Sequence, residues 1–151
     1  MLDTILAFLA SRDLGVLATA DAAAPHCSLM AYVMTPDGHI CMATLPDTRK
    51  WRNVLGNPEV SLLVDNRELL PALGRESLTA VTVTGRHTPF PDPAEDDAAK
   101  RLLAERHGHL GGILTRPEAR IIRIRPTAYQ LVEGPVRSRV MAAAPSGDRP
   151  A

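Results

Sequence analysis

With 151 residues the chain has the size of one domain, long enough to bury a core without disulfides or metal. Seventeen Lys and Arg balance seventeen Asp and Glu, and there are only one Trp, two Tyr and two Phe. Zero formal charge supplies no basic field for nucleic acid or an anionic membrane, and so few aromatics exclude a stacking platform for single strands.

Leu2, Ile5, Leu6 and Leu9 recur at helical spacing, with Asp3 as a cap. A short amphipathic helix ending near Arg12 is expected, covering an open end of a β core. Gly15 to Ala20 reads as a first strand, and His26 to Thr35 as a second. Pro36-Asp37-Gly38 is a turn signal, so His39 to Thr44 should pair with the second strand as a hairpin. In that hairpin Cys41 faces Val33 or Met34, and Cys27 lies well away along the ladder. Two free thiols are therefore expected, as in a cytosolic protein. The N-terminus has an early acid and no basic segment, unlike a signal peptide, and no apolar run is long enough to span a bilayer. A cytoplasmic chain with no membrane partner is expected.

The segment Thr44-Leu45-Pro46-Asp47-Thr48-Arg49-Lys50-Trp51-Arg52-Asn53-Val54-Leu55-Gly56-Asn57-Pro58 comes next. Thr48 is a good N-cap, and Gly56, Asn57 and Pro58 stop a helix. Arg49 and Lys50 then lie at the positive end of a helix dipole, where cations are unfavourable and an anion reverses the balance. A phosphate is the natural partner, with the Thr44 and Thr48 hydroxyls as further donors.

Glu59 to Asp65 reads as a fourth strand, residues 66–77 as a polar connection, and Leu78 to Thr84 as a fifth strand, after which Gly85 invites a bulge. Asp92-Pro93-Ala94-Glu95 opens a helix running to about His107. Residues 108–117 read as a loop, and Ala119 to Leu131, with a break at Pro126, as the last strand. Residues 141–151 are rich in Ala, Pro and Gly and read as a disordered tail. His107-x-His109 supplies two ligands where a metal site needs more, so no metal is expected. The expected fold class is mainly β: a six-stranded barrel with peripheral helices.

Thr44, Thr48-Arg49-Lys50, Asn53 and Asn57-Pro58-x-Val60-Ser61-Leu62 together resemble the FMN-binding split-barrel family, whose best-known class is pyridoxamine 5′-phosphate oxidase. The resemblance is dense from about Gly15 to Asp65 and thinner from Thr79 to Val132. It implies a Greek-key split barrel over residues 1–140 that binds FMN and acts as an oxidoreductase or electron carrier. The flavin would supply the electron chemistry. It further implies that Thr44, Thr48, Arg49 and Lys50 hold the phosphate, and that the strand carrying Ser28, Leu29 and Met30 passes under the flavin ring. The full oxidase has a basic residue near the start of that strand, where this chain has Cys27-Ser28. It also has a C-terminal recognition segment, where this chain reads Leu131-Val132-Glu133-Gly134-Pro135. Oxidation of vitamin B6 phosphates is therefore not expected. The substrate would be some other small molecule, or an electron-transfer partner. The resemblance also implies a homodimer with two equivalent FMN sites, packed on outward apolar residues such as Leu29, Val33, Leu63 and Val81. Alternatives on the same fold are a deazaflavin-dependent reductase and a non-catalytic haem- or ligand-binding barrel.

Overall fold

The structure is a computed structural model that describes residues 1–144. In chain order it contains α1 (Leu2–Ser11), β1 (Leu14–Ala20), β2 (Pro25–Ala31), β3 (Val33–Met34), β4 (Ile40–Thr44), α2 (Arg49–Gly56) and β5 (Glu59–Asp65). Then come α3 (Leu70–Leu73), β6 (Thr79–His87), α4 (Pro93–Arg106), α5 (Gly111–Leu114), β7 (Arg120–Glu133) and β8 (Arg137–Ala142). All pairings are antiparallel, in the order β2-β1-β5-β6-β7-β4-β3, with β8 added to β7. The two ends of that order, β2 and β3, are consecutive in the chain and separated by Tyr32 alone. The sheet therefore curls until its ends meet, which is the split barrel.

The expected second strand is thus divided. Its first part pairs with β1, and Val33 and Met34 cross over to pair with Cys41 and Ile40. Tyr32 makes the crossing. Its N–H donates to Asp13 O (3.3 Å), its carbonyl meets His107 Nε2 (2.7 Å), and its hydroxyl donates to Leu9 O. One side chain and its peptide therefore tie together α1, the crossing and the end of α4.

Three other expectations are corrected. The last strand is not broken at Pro126. It runs on to Glu133, and the irregularity beside Pro126 is a register shift: Thr84 faces Ala128 and Gly85 faces Pro126, which leaves Thr127 of β7 as the extra residue. A Cβ on Gly85 would come within 2.6 Å of Ile124 Cγ2 and 2.8 Å of Arg125 O, so close approach of the two strands requires glycine there. An eighth strand, β8, forms where the tail was expected to begin. Met141 and Ala142 belong to it, and residues 145–151 lie outside the described residues. β8 is possible because β7 is long: its first five residues pair with β4, and its last six pair with β8 on the same side. Finally, α1 is capped by Met1 with no side-chain bond, not by Asp3.

The barrel interior is filled by Leu17, Ile40, Met42, Leu62, Val64, Val81, Val83, Ile122, Ile124 and Leu131, plugged by Ile5 and Leu9 of α1 and Val54 of α2. A second cluster lies outside the barrel wall, where Val33, Cys41 and Ile121 meet Ala99 and Leu103 of α4. Two of the residues expected to face outward are therefore buried. Val81 points into the barrel, and Val33 is covered by α4. Leu29 and Leu63 do face outward. They belong to a cross-strand row that the register assembles over six strands: Leu29, Val16, Leu63, Thr82, Gln130 and Val140. The neighbouring row is Cys27, Ala18, Ser61, Thr84, Ala128 and Ala142. None of these twelve side chains is charged, and Leu29 and Val140 are 69% and 70% exposed. Cys27 and Cys41 are both free, the first exposed and the second buried, with burial pushing the Cys41 thiol up to about 12.

His87 is buried at the end of β6, edge-on to Trp51 with 5.7 Å between ring centroids. Burial holds its pKa below the ordinary 6.5, against a smaller opposing effect of its contact with Arg123 O. Burial likewise lowers His39. Below about pH 6.5 the unfolded chain takes up protons that the folded chain resists, so the stability present above that pH is lost on acidification toward the folded values. Asp37 and Asp65 are lowered from 3.8, and their contribution is lost only in more acid solution. The urea midpoint is expected to fall between pH 7.5 and 5.5, with a shallower fall in His87→Gln. An identical slope in the variant would exclude His87 as a source.

Candidate functional site

β4 ends at Thr44, and the turn after it is shaped by two hydroxyls. Thr48 Oγ1 donates to Leu45 O (2.9 Å) and accepts from Trp51 N–H (3.4 Å), the N-cap expected from the sequence. It also lies 2.9 Å from Thr44 Oγ1. Because the single Thr48 proton goes to Leu45, Thr44 is the donor in that contact. Both hydroxyl protons are therefore engaged within the turn, and Thr44 is itself buried. The hydroxyls act as the wall of the turn and are not free donors.

Of the four N–H groups that open α2, Trp51's is capped by Thr48 Oγ1 and Arg52's bonds Thr48 O. The amides of Arg49 and Lys50 have no partner inside the helix. Their side chains stand at the same end. Arg49 is exposed, and among the described residues its one ionic neighbour is Asp21, at 3.9 Å. Lys50 has no ion-pair partner among the described residues. Two cations and two amides thus belong to the end where the helix dipole is positive, a donor set that fits a phosphate.

The place of this helix end in the barrel matters as much as its chemistry. β4 pairs with β3 only through Ile40 and Cys41, so Met42, Ala43 and Thr44 have no strand on that side. β2 pairs with β1 and leaves its other edge free. β2 and β4 approach one another without pairing, and α2, leading off Thr44, packs over β1 and β2. A slit lined by unpaired backbone donors and acceptors therefore runs up to the basic helix end.

Ser28, Leu29 and Met30 lie on β2, Thr44 ends β4, and Thr48, Arg49 and Lys50 follow in the turn and helix beyond it, but their side chains differ in what they can offer. Ser28 is half-buried on the inward face opposite Leu17. Met30 also points inward and belongs to the core. Leu29 points outward into the uncharged face described above. For Leu29 and Met30 it is the β2 backbone that borders the slit.

Sequence reasoning missed two features here, the partner of Asn53 and the place of Asp21. Asn53 has a definite partner, since its side-chain amide donates to Thr19 Oγ1 (3.0 Å) with both residues buried, pinning α2 to β1. Trp51 packs against the barrel core and His87. Asp21, in the turn before β2, accepts from Ala23 and Ala24 N–H through Oδ1, both at 2.8 Å. These two bonds hold its carboxyl below the ordinary range. The run Asp21-Ala22-Ala23-Ala24-Pro25 carries the signal for such a turn, but nothing local says that Arg49 faces it.

Among the described residues no three His, Cys, Asp or Glu side chains cluster as a metal site would require, and no helix is long and apolar enough to cross a membrane.

Solved structures share this fold at low sequence identity. A heme-binding protein from Mycobacterium smegmatis superposes with a TM-score of 0.77 at 18% identity, over 89% of this chain and 55% of that one. A FAD-binding protein from Mesorhizobium loti gives 0.67 at 22% identity over 85% and 90% of the two chains. HutZ, the heme storage protein from Vibrio cholerae, gives 0.66 at 22% over 82% and 88%. The chain thus spans little more than half the length of the Mycobacterium protein. No curated protein sequence matches the chain. The pyridoxamine 5′-phosphate oxidase family model matches residues 1–133, nearly the whole barrel, and the chain accordingly belongs to the pyridoxamine 5′-phosphate oxidase family.

Proposed function

We propose that this chain binds FMN along the slit between β2 and β4 and works as an FMN-dependent oxidoreductase or electron carrier. The observation that carries this reading is the N-terminus of α2, where Arg49, Lys50 and their two amides lie together with no anion among the described residues within hydrogen-bonding distance of the two side chains. Arg49 offers a planar fork to a phosphate and Lys50 a mobile point charge. The free edge of β2 offers backbone groups to a flavin ring, and the turn around Thr44 and Thr48 sets the distance between the two ends. Bound flavin would supply the electron chemistry, while these residues bind and orient it. The test is titration of the purified protein with FMN, riboflavin, deazaflavin and haem, beside mass spectrometry of any ligand it carries. FMN bound more tightly than riboflavin supports the proposal. Absence of flavin binding rejects it.

Haem is the second reading, supported by the heme proteins among the fold neighbours. Iron would need a ring nitrogen free to ligate. His39, His87 and His107 are buried, each with one ring nitrogen on Asp37, Arg123 O or Tyr32 O, and His109 is exposed after α4, outside β2. His26, half-buried on β2 opposite Thr19, is the histidine on the strand that borders the slit. A Soret band that persists in His26→Ala would count against this ligation.

The proposed assembly is a homodimer packed on the uncharged outer rows of β1, β2, β5, β6, β7 and β8, with each slit completed by the partner. A face of this breadth without charge is what a buried interface requires. In light scattering the protein is expected at twice the 16.3 kDa chain mass, with FMN favouring the dimer on dilution. Leu63→Arg, at the middle of the first row, is expected to dissociate it. A wild-type monomer that binds FMN stoichiometrically would overturn the assembly and leave the cofactor reading intact.

A further inference from the structure

We infer that Asp21 is a positioning residue of the phosphate end: a fixed carboxylate beside the Arg49 guanidinium whose charge opposes a ligand phosphate there, and so lowers the affinity for phosphate-bearing ligands. The inference rests on the FMN reading above. Asp21 does not drift on its turn, because the amides of Ala23 and Ala24 both hold Oδ1 at 2.8 Å. Its other oxygen is left facing Arg49 Nη2 at 3.9 Å. That distance exceeds a hydrogen bond, and the side chains are 49% and 43% exposed. A pair of this kind in water contributes little to the fold.

Weak holding decides the sign. If Asp21 gripped the guanidinium at hydrogen-bond distance, removing its charge would cost Arg49 its orientation, and phosphate affinity would fall. At 3.9 Å and half exposed there is little orientation to lose. What remains is a negative charge beside the place where a phosphate dianion would meet Arg49, and like charges repel. Lys50 makes no ion pair among the described residues, so the effect of Asp21 acts through Arg49 and not through the whole donor set.

Asp21→Asn keeps an oxygen for the Ala23 and Ala24 amides while removing the charge, so the turn is retained. Trp51, the one tryptophan, sits in α2 next to the cations, and its fluorescence reports flavin binding without any turnover assay. In low salt the variant is expected to bind FMN about three- to tenfold more tightly, with the gain shrinking as salt screens exposed charges. Riboflavin affinity should not change, and the gain should be smaller in an Arg49→Ala background. FMN affinity that is unchanged or weakened in Asp21→Asn overturns the inference while leaving the phosphate site standing. An equal gain for riboflavin also overturns it, because Asp21 would then act on the shape of the turn. If wild-type protein binds FMN no more tightly than riboflavin, the phosphate reading itself fails, and this inference with it.

Discussion

Tyr32→Ala is expected to destabilise the fold by about 3–5 kcal/mol, the range for deleting a large buried aromatic side chain. Tyr32 is 1% exposed and sits where the chain leaves β1 for β4, so its ring fills the point at which the sheet closes. The hydroxyl adds a second role, because it donates to Leu9 O in the last turn of α1, beside the bond that the same carbonyl accepts from Arg12 N–H (3.3 Å). Tyr32→Phe keeps the ring and removes one of the two bonds to that carbonyl, for an expected loss of about 0.5–1.5 kcal/mol. Urea denaturation of both variants checks the pair. A loss under about 1 kcal/mol in Tyr32→Ala, small against the cavity range, would show that the closure does not depend on this residue.

Arg49→Ala and Lys50→Ala are each expected to weaken FMN binding by about 1.5–3 kcal/mol, the size of a hydrogen bond to a charged group. At about 1.4 kcal/mol per tenfold, this is roughly one to two orders of magnitude in Kd. Riboflavin lacks the phosphate and should lose much less. Neither side chain is needed for packing: Arg49 is exposed, and Lys50 lies outside both apolar clusters. Loss of fold is therefore not expected to mask the result. Equal losses for the two ligands would show that the pair only shapes the turn. Thr44→Val and Thr48→Val separate the hydroxyls from the cations, since Thr48 caps α2 and Thr44 donates to it. Their cost is expected in stability, about 0.5–2 kcal/mol for the cap.

Much of the local structure was legible in the residues. The Thr48 cap, the stop at Gly56 and Asn57, the Asp37-Gly38 hairpin, the Asp92-Pro93 helix start and the bulge at Gly85 all follow from chemistry within a few positions. So did the membership of Arg49 and Lys50 in a basic helix end. Five of the six expected strands were also identified, apart from their ends.

Long-range pairing was not legible, because a strand's two faces are distinguished only by what lies against them. Val81 and Leu63 have similar local surroundings, yet one fills the barrel and the other faces outward, since register places Val81 opposite Leu131 and Leu63 opposite Val16. Val33 looks exposed until α4, sixty residues later in sequence, covers it. β8 follows a Gly134 turn whose pairing depends on β7 having a free side beyond β4. By itself the sequence determined the class of the fold, the cap and cations of α2 and the family they point to, because these depend on neighbours along the chain. Only the tertiary structure decided that the free edges of β2 and β4 form a slit beside those cations and that the Thr44 and Thr48 protons are already engaged. It alone placed Asp21, from a turn 28 residues earlier, against Arg49, because a closed sheet sets positions by register between strands distant in sequence.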